Sequence, residues 1–197
     1  GFVHFPPDFV VPVRPMIGYV RLESVASYEI DSGGNMDFNS VQPGSILHIR
    51  AQKDGAYLYL CDVHARMGDG ELTGTGVEID AAVTLKVDRS PGFPTSSPVV
   101  EKTRVVEDAE EFLTSGRGAN WEEAVKIAWA EMVGLIADRY DTTAEHANLI
   151  VGTIGDARPG YAAGTLNRRG RSTEGAYVTC QIAITKELRR TGTPFRA

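Results

Sequence analysis

The sequence has 197 residues, 42% of them apolar, and a formal charge of −6 at pH 7. That length and apolar content are enough to bury a sizeable core. The acidic balance leaves no basic stripe to neutralise phosphates, which argues against a nucleic-acid or anionic-membrane partner. The densest basic cluster, Arg168, Arg169 and Arg171, is short and flanked by glycine, and reads as a solvated loop. No apolar run approaches the roughly 20 residues of a membrane span, and no charged segment followed by an apolar one opens the chain. Two cysteines, Cys61 and Cys180, fit a reducing cytoplasm, with both thiols expected as small buried apolar groups. The chain starts Gly1-Phe2-Val3 without Met, so a piece of a longer or processed protein is expected.

From residue 1 to about 89 the pattern is β-type runs punctuated by Pro and Gly. Phe2, Phe5 and Phe9 in the Pro-rich N-terminal arm favour docking onto an apolar surface. In GSILHIRAQ, Ile46, His48 and Arg50 share one face and Leu47, Ile49 and Ala51 the other, as in a half-buried strand. AYLYLCDVH continues that style, and the Asp54-Gly55 pair between the two runs predicts a hairpin. GTGVEIDAAVTLKV is the next period-2 run.

Beyond residue 90 the composition changes. SPGFPTSSP, residues 90–98, bridges to a predicted strand VVEKTRVVE. Asn120, with Glu123 three residues later, has the form of a capping box, and Ala124, Val125, Ala128, Met132, Val133, Leu135 and Ile136 give a helical apolar stripe through about Arg139. Thr142-Thr-Ala-Glu145 repeats the capping pattern before a shorter helix that Gly152 or Gly155 ends. GAYVTCQIAIT is a closing strand. The expectation is a single α+β domain over 1–197: a β-rich part at 1–89, then strand, two helices and strand at 90–197.

Strand alternation places Asp62 and His64 on one face of AYLYLCDVH, about 7 Å apart at Cα and within reach of one small ion. The same spacing fits an Asp that merely orients its His. Asp69 and Glu71, in the Gly-flanked turn MGDGE, either complete a site, one of them as general base for a water, or close a solvated turn. Glu78, among small and aliphatic residues, is expected to be partly buried and to need a cation or donor. In GGNMDF, Asn35 and Asp37 are two residues apart in the extended piece after a tight glycine turn. His48 is read as a hydrogen-bonded structural histidine, His146 as surface or interhelical, and Trp121 and Trp129 as core or interface anchors. Cys180 has no neighbouring base to make it a nucleophile.

Taken together, GGNMDF, the PGS at 43–45 and DGAYLYLCDVHARMGDGELTGTGVEI, in this order and spacing, resemble the acetamidase/formamidase family. The resemblance runs over roughly residues 12 to 188, from the PMIG at 15–18 through the helical pair. It implies metal-dependent hydrolysis of a small carboxamide, such as formamide or acetamide, to ammonia and the acid, in a β-rich fold. It also implies that Asn35, Asp37, Asp62, His64, Asp69, Glu71 and Glu78 line the site. In that reading Asp62, His64, Asp37 and Glu78 are ligands or orient ligands of a divalent metal, zinc or calcium, and Glu71 or Asp69 moves the proton. Cys61 stands where the family usually has Gly. The family pattern also extends well before Pro12, so an N-terminal companion chain or fragment is expected to complete the site, in a homo-oligomer. The alternative is a non-catalytic, metal-binding subunit of the same fold.

Overall fold

The computed structural model describes residues 1–24, 30–90, 92–102, 110–162 and 177–188. In chain order the strands are β1 (Phe2–Phe5), β2 (Phe9–Pro12), β3 (Met16–Leu22), β4 (Gly33–Asn35), β5 (Ile46–His48), β6 (Leu58–Arg66), β7 (Val77–Glu78), β8 (Val99–Lys102) and β9 (Glu111–Gly118). Helices α1 (Trp121–Arg139) and α2 (Ala144–Ile154) come next, then β10 (Asp156–Pro159) and β11 (Val178–Thr185). The strands form a β1-β2 ribbon, a four-stranded sheet ordered β4-β3-β6-β7 and a five-stranded sheet ordered β10-β11-β9-β8-β5. The class is α+β.

Two apolar layers hold the sheets and helices together. Val20, Met36, Phe38, Val41, Val100, Leu113 and Ala183 form one buried cluster, joining the four-stranded sheet to one face of the five-stranded sheet. Phe112, Val178, Cys180, Ile182 and Ile184 point to the opposite face, against Ala124, Ala128, Met132, Leu135 and Ile136 of α1 and Ala147 and Val151 of α2. Adjacent residues Phe112 and Leu113 thus serve different layers, as the period of 2 requires. With both faces covered, β11 carries no polar-out alternation, and Val178 to Ile184 are all buried.

α1 begins where the capping pattern places it: Asn120 Oδ1 accepts from the Glu123 amide at 3.0 Å, and Glu123 Oε2 accepts from the Ala119 amide at 2.8 Å. α2 is capped by Thr143, whose hydroxyl accepts from the His146 amide at 3.2 Å, and it ends at Gly155. α1 sits so close to β9 that Gly116 has no room for a side chain. A Cβ there would overlap the Ala124 carbonyl and lie 2.5 Å from the Ala128 nitrogen. Thr114 Oγ1 donates to the Ala128 carbonyl at 2.7 Å in the same contact.

Several sequence expectations need correction. Asp54-Gly55 does turn the chain, with Gly55 at φ 68°, but no hairpin results. β5 pairs with β8 in one sheet, whereas β6 pairs with β3 and β7 in the other. Of GTGVEIDAAVTLKV only Val77 and Glu78 are in a ladder; the Ile79 amide adds one bond to the Val63 carbonyl, and residues 80–87 are exposed with no strand beside them among the described residues. Glu78 is 53% exposed rather than partly buried, because it lies on the outermost strand of its sheet. Cys61 is exposed while Cys180 is buried, and Trp121, at the first turn of α1, is 41% exposed. Trp129 is an interhelical anchor, its Nε1 donating to Asn148 Oδ1 at 2.7 Å. His48 is structural, with Nε2 2.6 Å from Glu101 Oε1, and His146 is exposed on α2. The N-terminal arm is the β1-β2 ribbon, with Phe2 64% and Phe9 69% exposed. Residues 103–109 of the run after β8 and the Arg168–Arg171 cluster lie outside the described residues. No helix among the described residues is long and apolar enough to cross a membrane.

Two predictions concern stability. Gly116→Ala should cost about 1–3 kcal/mol, read as a fall in Tm of roughly 2–4 °C per kcal/mol, since neither neighbour at the contact is a movable side-chain end. Glu101 is held at about 2 by hydrogen bonds from His48 and, at 2.8 Å, from Lys186 Nζ, which outweigh its partial burial. Its folded pKa lies below its unfolded one, so its contribution is full above about pH 5 and disappears as pH falls towards 2. That contribution is on the order of 3 kcal/mol, and Glu101→Gln should flatten the urea-midpoint profile in that window.

Candidate metal centre

The site is built where β3 and β6 lie side by side. Their antiparallel register pairs Ile17 with Val63 and Tyr19 with Cys61, which sets Gly18 opposite Asp62. A Cβ on Gly18 would lie 2.7 Å from Asp62 Oδ2 and overlap Asp37 Oδ1, so the absence of a side chain there is what lets the two carboxylates approach. The Gly18 carbonyl accepts from the amides of Met36 at 3.0 Å and Asp37 at 3.2 Å, holding the end of β4 over the strand.

His64 lies at the middle of the cluster and is fully buried. Its Nε2 is 3.2 Å from Asp62 Oδ1, 2.9 Å from Glu78 Oε1 and 3.8 Å from Glu71 Oε1. Its other ring nitrogen, Nδ1, is 3.2 Å from the sulfur of Met67. A thioether only accepts, so Nδ1 carries the proton and Nε2 turns towards the acids. There it presents either a second proton or a lone pair to a cation. Gly76 lies against the ring, where a Cβ would be 2.6 Å from Nδ1.

Asp37 is also fully buried. Asn35 Nδ2 donates to its Oδ2 at 2.6 Å, but Oδ1 has no hydrogen-bond partner. Burial, reinforced by the charges of Glu71, Asp62 and Glu78, pushes its carboxyl up to about 8 against the pull of Asn35. Burial likewise raises Glu71, with His64 opposing and Asp62 and Glu78 adding to the rise. Donor atoms of Asp37, His64 and Glu71 all lie within 4.8 Å of one another, as do those of Asp62, His64 and Glu78.

This donor set fits a divalent cation. The orphaned buried oxygen of Asp37 has no hydrogen-bond partner, His64 Nε2 faces carboxylates, neither has a positive partner among the described residues, and four carboxylates gather around one imidazole. The backbone is bent to achieve this. Among the described residues four non-glycines have positive φ, and three of them are Asp37 (49°), Asp62 (63°) and Glu71 (43°). Strain held at several residues of one cluster is the mark of a site, because local sequence alone would relax it.

Asp62, His64, Glu71, Glu78 and Asp37 are therefore brought together, with Asn35 beside Asp37. Asp69 is not: it is exposed at the turn and accepts from Asn39 Nδ2 at 2.7 Å. Sequence reasoning missed Tyr161 and Tyr177. A bridge between Gly70 and Tyr161 docks the segment after β10 on the turn that carries Glu71. Burial and then the charges of Glu71 and Asp37 raise the Tyr161 phenol. The Tyr177 ring is 5.1 Å from that of Tyr161, and its hydroxyl donates to the Asn35 carbonyl at 3.3 Å. Thr179 Oγ1 donates to the Met36 carbonyl at 2.7 Å and accepts from the Tyr161 amide at 2.6 Å, latching both loops to β11. Gly18 had a readable signal, as a glycine inside the strand PMIGYV; the tyrosines had none, because a long stretch of chain separates them from the motif.

Stacked sheets with a carboxylate-rich, single-imidazole cluster on the two central strands of one define a protein with a candidate metal centre. The sequence profile of the Acetamidase/Formamidase family matches residues 23–154, and the chain belongs to that family. No protein with a curated description matches it. An acetamidase from Bacillus halodurans superposes with a TM-score of 0.78 at 26% identity, over 93% of this chain and 58% of that one. A predicted acetamidase/formamidase from Thermoanaerobacter tengcongensis gives a TM-score of 0.80 at 27% identity, over 94% and 57%. An acetamidase from Yersinia enterocolitica gives 0.80 at 25% identity, over 94% and 53%. The chain thus spans a little over half the length of these solved relatives.

Gly18→Ala tests the centre. The methyl group should push the Asp37 and Asp62 carboxylates apart and weaken the binding of an added divalent metal, measured by calorimetric titration, by about 10- to 100-fold, with the far-UV circular dichroism unchanged.

Proposed function

We propose that this chain carries the metal-holding part of an amidase that hydrolyses a small aliphatic carboxamide, such as formamide or acetamide, to ammonia and the carboxylic acid. The observation that carries the reading is the buried Asp37 carboxyl, with one oxygen orphaned, grouped with His64 and Glu71 in a member of this family. Asp62, His64, Asp37 and Glu78 would hold the ion. An imidazole nitrogen among the donors favours zinc, while the excess of carboxylate oxygen leaves calcium as the other choice. A divalent ion there supplies Lewis acidity, polarising a carbonyl oxygen and lowering the pKa of water to about 7.

The chain's own groups would do the rest. Glu71, buried and with its carboxyl raised, is placed to take a proton from the attacking water and return it to the departing nitrogen as the C–N bond breaks. Asn35 orients Asp37 through its amide. Tyr161 and Tyr177 form an aromatic wall, which suits a small neutral substrate with a short apolar end. Asp69 is left as a turn residue.

Two further parts of the reading go beyond the chain itself, which covers a little over half of each of these solved relatives. A companion polypeptide would complete the substrate pocket, and the enzyme would be a homo-oligomer in a reducing cytoplasm, where both thiols stay free. If the companion supplies no second wall, the chain is instead a non-catalytic subunit whose acidic cluster holds a structural ion.

The test is ammonia release from formamide and acetamide by the native assembly, with metal content measured alongside. Turnover should accompany about one ion per chain, and Glu71→Gln should lower kcat by about 10²- to 10⁴-fold while retaining the ion. A bound ion without turnover would select the non-catalytic reading, and neither ion nor turnover would refute both.

A further inference from the structure

The ring of His64 is met from behind by a side chain that regular strand geometry would send the other way. Residues three apart in a strand point to opposite faces, so an unbroken β6 would turn Met67 away from His64. The β6–β7 ladder pairs His64 with Glu78 and Arg66 with Val77, two steps along β6 against one along β7. The extra residue is a bulge, and a bulge re-aims the side chains around it. Just past it the Met67 sulfur lies 3.2 Å from His64 Nδ1, and both residues are buried. Gly76 closes over the same part of the ring, where a Cβ would be 2.6 Å from Nδ1. Among the described residues no other acceptor lies within hydrogen-bond distance of this nitrogen.

We propose that Met67 is a positioning residue for the metal centre: its thioether accepts the Nδ1 proton and so holds the Nε2 lone pair towards the ion that Asp62 and Glu78 would share. The inference rests on the divalent ion of the amidase reading and adds the group that decides which nitrogen receives it. A neutral imidazole carries one proton, so an acceptor behind Nδ1 leaves Nε2 as the free nitrogen. The orienting groups behind ligand histidines are usually carboxylates, carbonyls or waters. A carboxylate in this place would add one more negative charge to a cluster that already gathers Asp37, Asp62, Glu71 and Glu78. The thioether fixes the tautomer without that charge. As a weak acceptor it also leaves the imidazole a less basic donor than a carboxylate would.

The test loads the native assembly with zinc and reads the His64 ring by long-range proton–nitrogen correlation NMR after selective histidine labelling, which the chain's 4 histidines make tractable. Nδ1 should be protonated, with its proton slow to exchange, and Nε2 shifted by the ion. Met67→Leu, which keeps the volume and removes the acceptor, should weaken zinc binding by about 10- to 100-fold. Met67→Gln offers a carbonyl at similar reach and should recover most of that loss. A purely space-filling role gives the opposite order, because leucine conserves a buried apolar volume and glutamine buries an amide. Zinc-loaded protein with Nδ1 unprotonated would overturn the proposal without any variant. So would Met67→Leu that binds zinc as tightly as the wild type, or Met67→Gln that binds it no better than Met67→Leu, and each of these outcomes leaves the metal reading standing. An assembly that takes up neither zinc nor calcium would remove the metal reading and this inference with it.

Discussion

Four carboxylates converging on one imidazole is the constraint on which the site's architecture turns. Asp37 and Glu71 on one side, and Asp62 and Glu78 on the other, each meet His64 with donor atoms within 4.8 Å of one another. At such a separation like charges repel by several kcal/mol at an effective dielectric of about 20, and burial together with this repulsion keeps the Asp37 carboxyl raised to about 8. No such cluster forms from local preference. It has to be held by structure that is stable for other reasons, and offset by a cation when one binds. The left-handed backbone at Asp37, Asp62 and Glu71 shows where the holding is done.

The stability that permits this lies on the far side of the molecule. α1 and α2 seal one face of the five-stranded sheet with a continuous apolar cluster, and β11 is buried on both faces as a result. Thr179 at the start of β11 then ties down the Met36 carbonyl and the Tyr161 amide, so the rigid sheet reaches the acids through two hydrogen bonds. Gly18 completes the link from β3, accepting from Met36 and Asp37 while leaving space for the carboxylates. The helices contribute no side chain to the centre, yet they fix the strand against which its loops are latched.

Legibility in the sequence tracks the range of the interactions. Asp62 and His64 share a face because strand alternation is local, and they do meet at 3.2 Å. Both helix starts were legible to within a residue for the same reason, since a capping residue acts within three positions; Asn120 caps α1 as the pattern places it, while α2 is capped by Thr143 rather than by the Thr142 of the Thr142–Glu145 pattern. The Asp54-Gly55 turn was legible too, but nothing local says that the strands on either side of it enter different sheets. Glu71 and Asp69 are indistinguishable as letters in MGDGE. They part only because the turn, held by the Glu71 amide on the Gly68 carbonyl at 3.1 Å, aims one inward and leaves the other to Asn39. β9 was hidden by its Gly116 and Gly118, which weaken a strand pattern but are required by the close approach of α1.

The period-2 reading of residues 74–87 was correct as a pattern and wrong as a ladder, and the difference matters for the centre. Glu78 is the most exposed of the acids around His64, and it is the last residue of β7. Its carboxylate is steadied by the Thr75 hydroxyl at 3.2 Å and by His64, both on its inner side. On the outer side the chain leaves the sheet after a single bond from the Ile79 amide. A short edge strand frays unless something continues it. The outer edge of the sheet and the acid cluster meet at Glu78, so of the four acids it is the one that the core beneath constrains least.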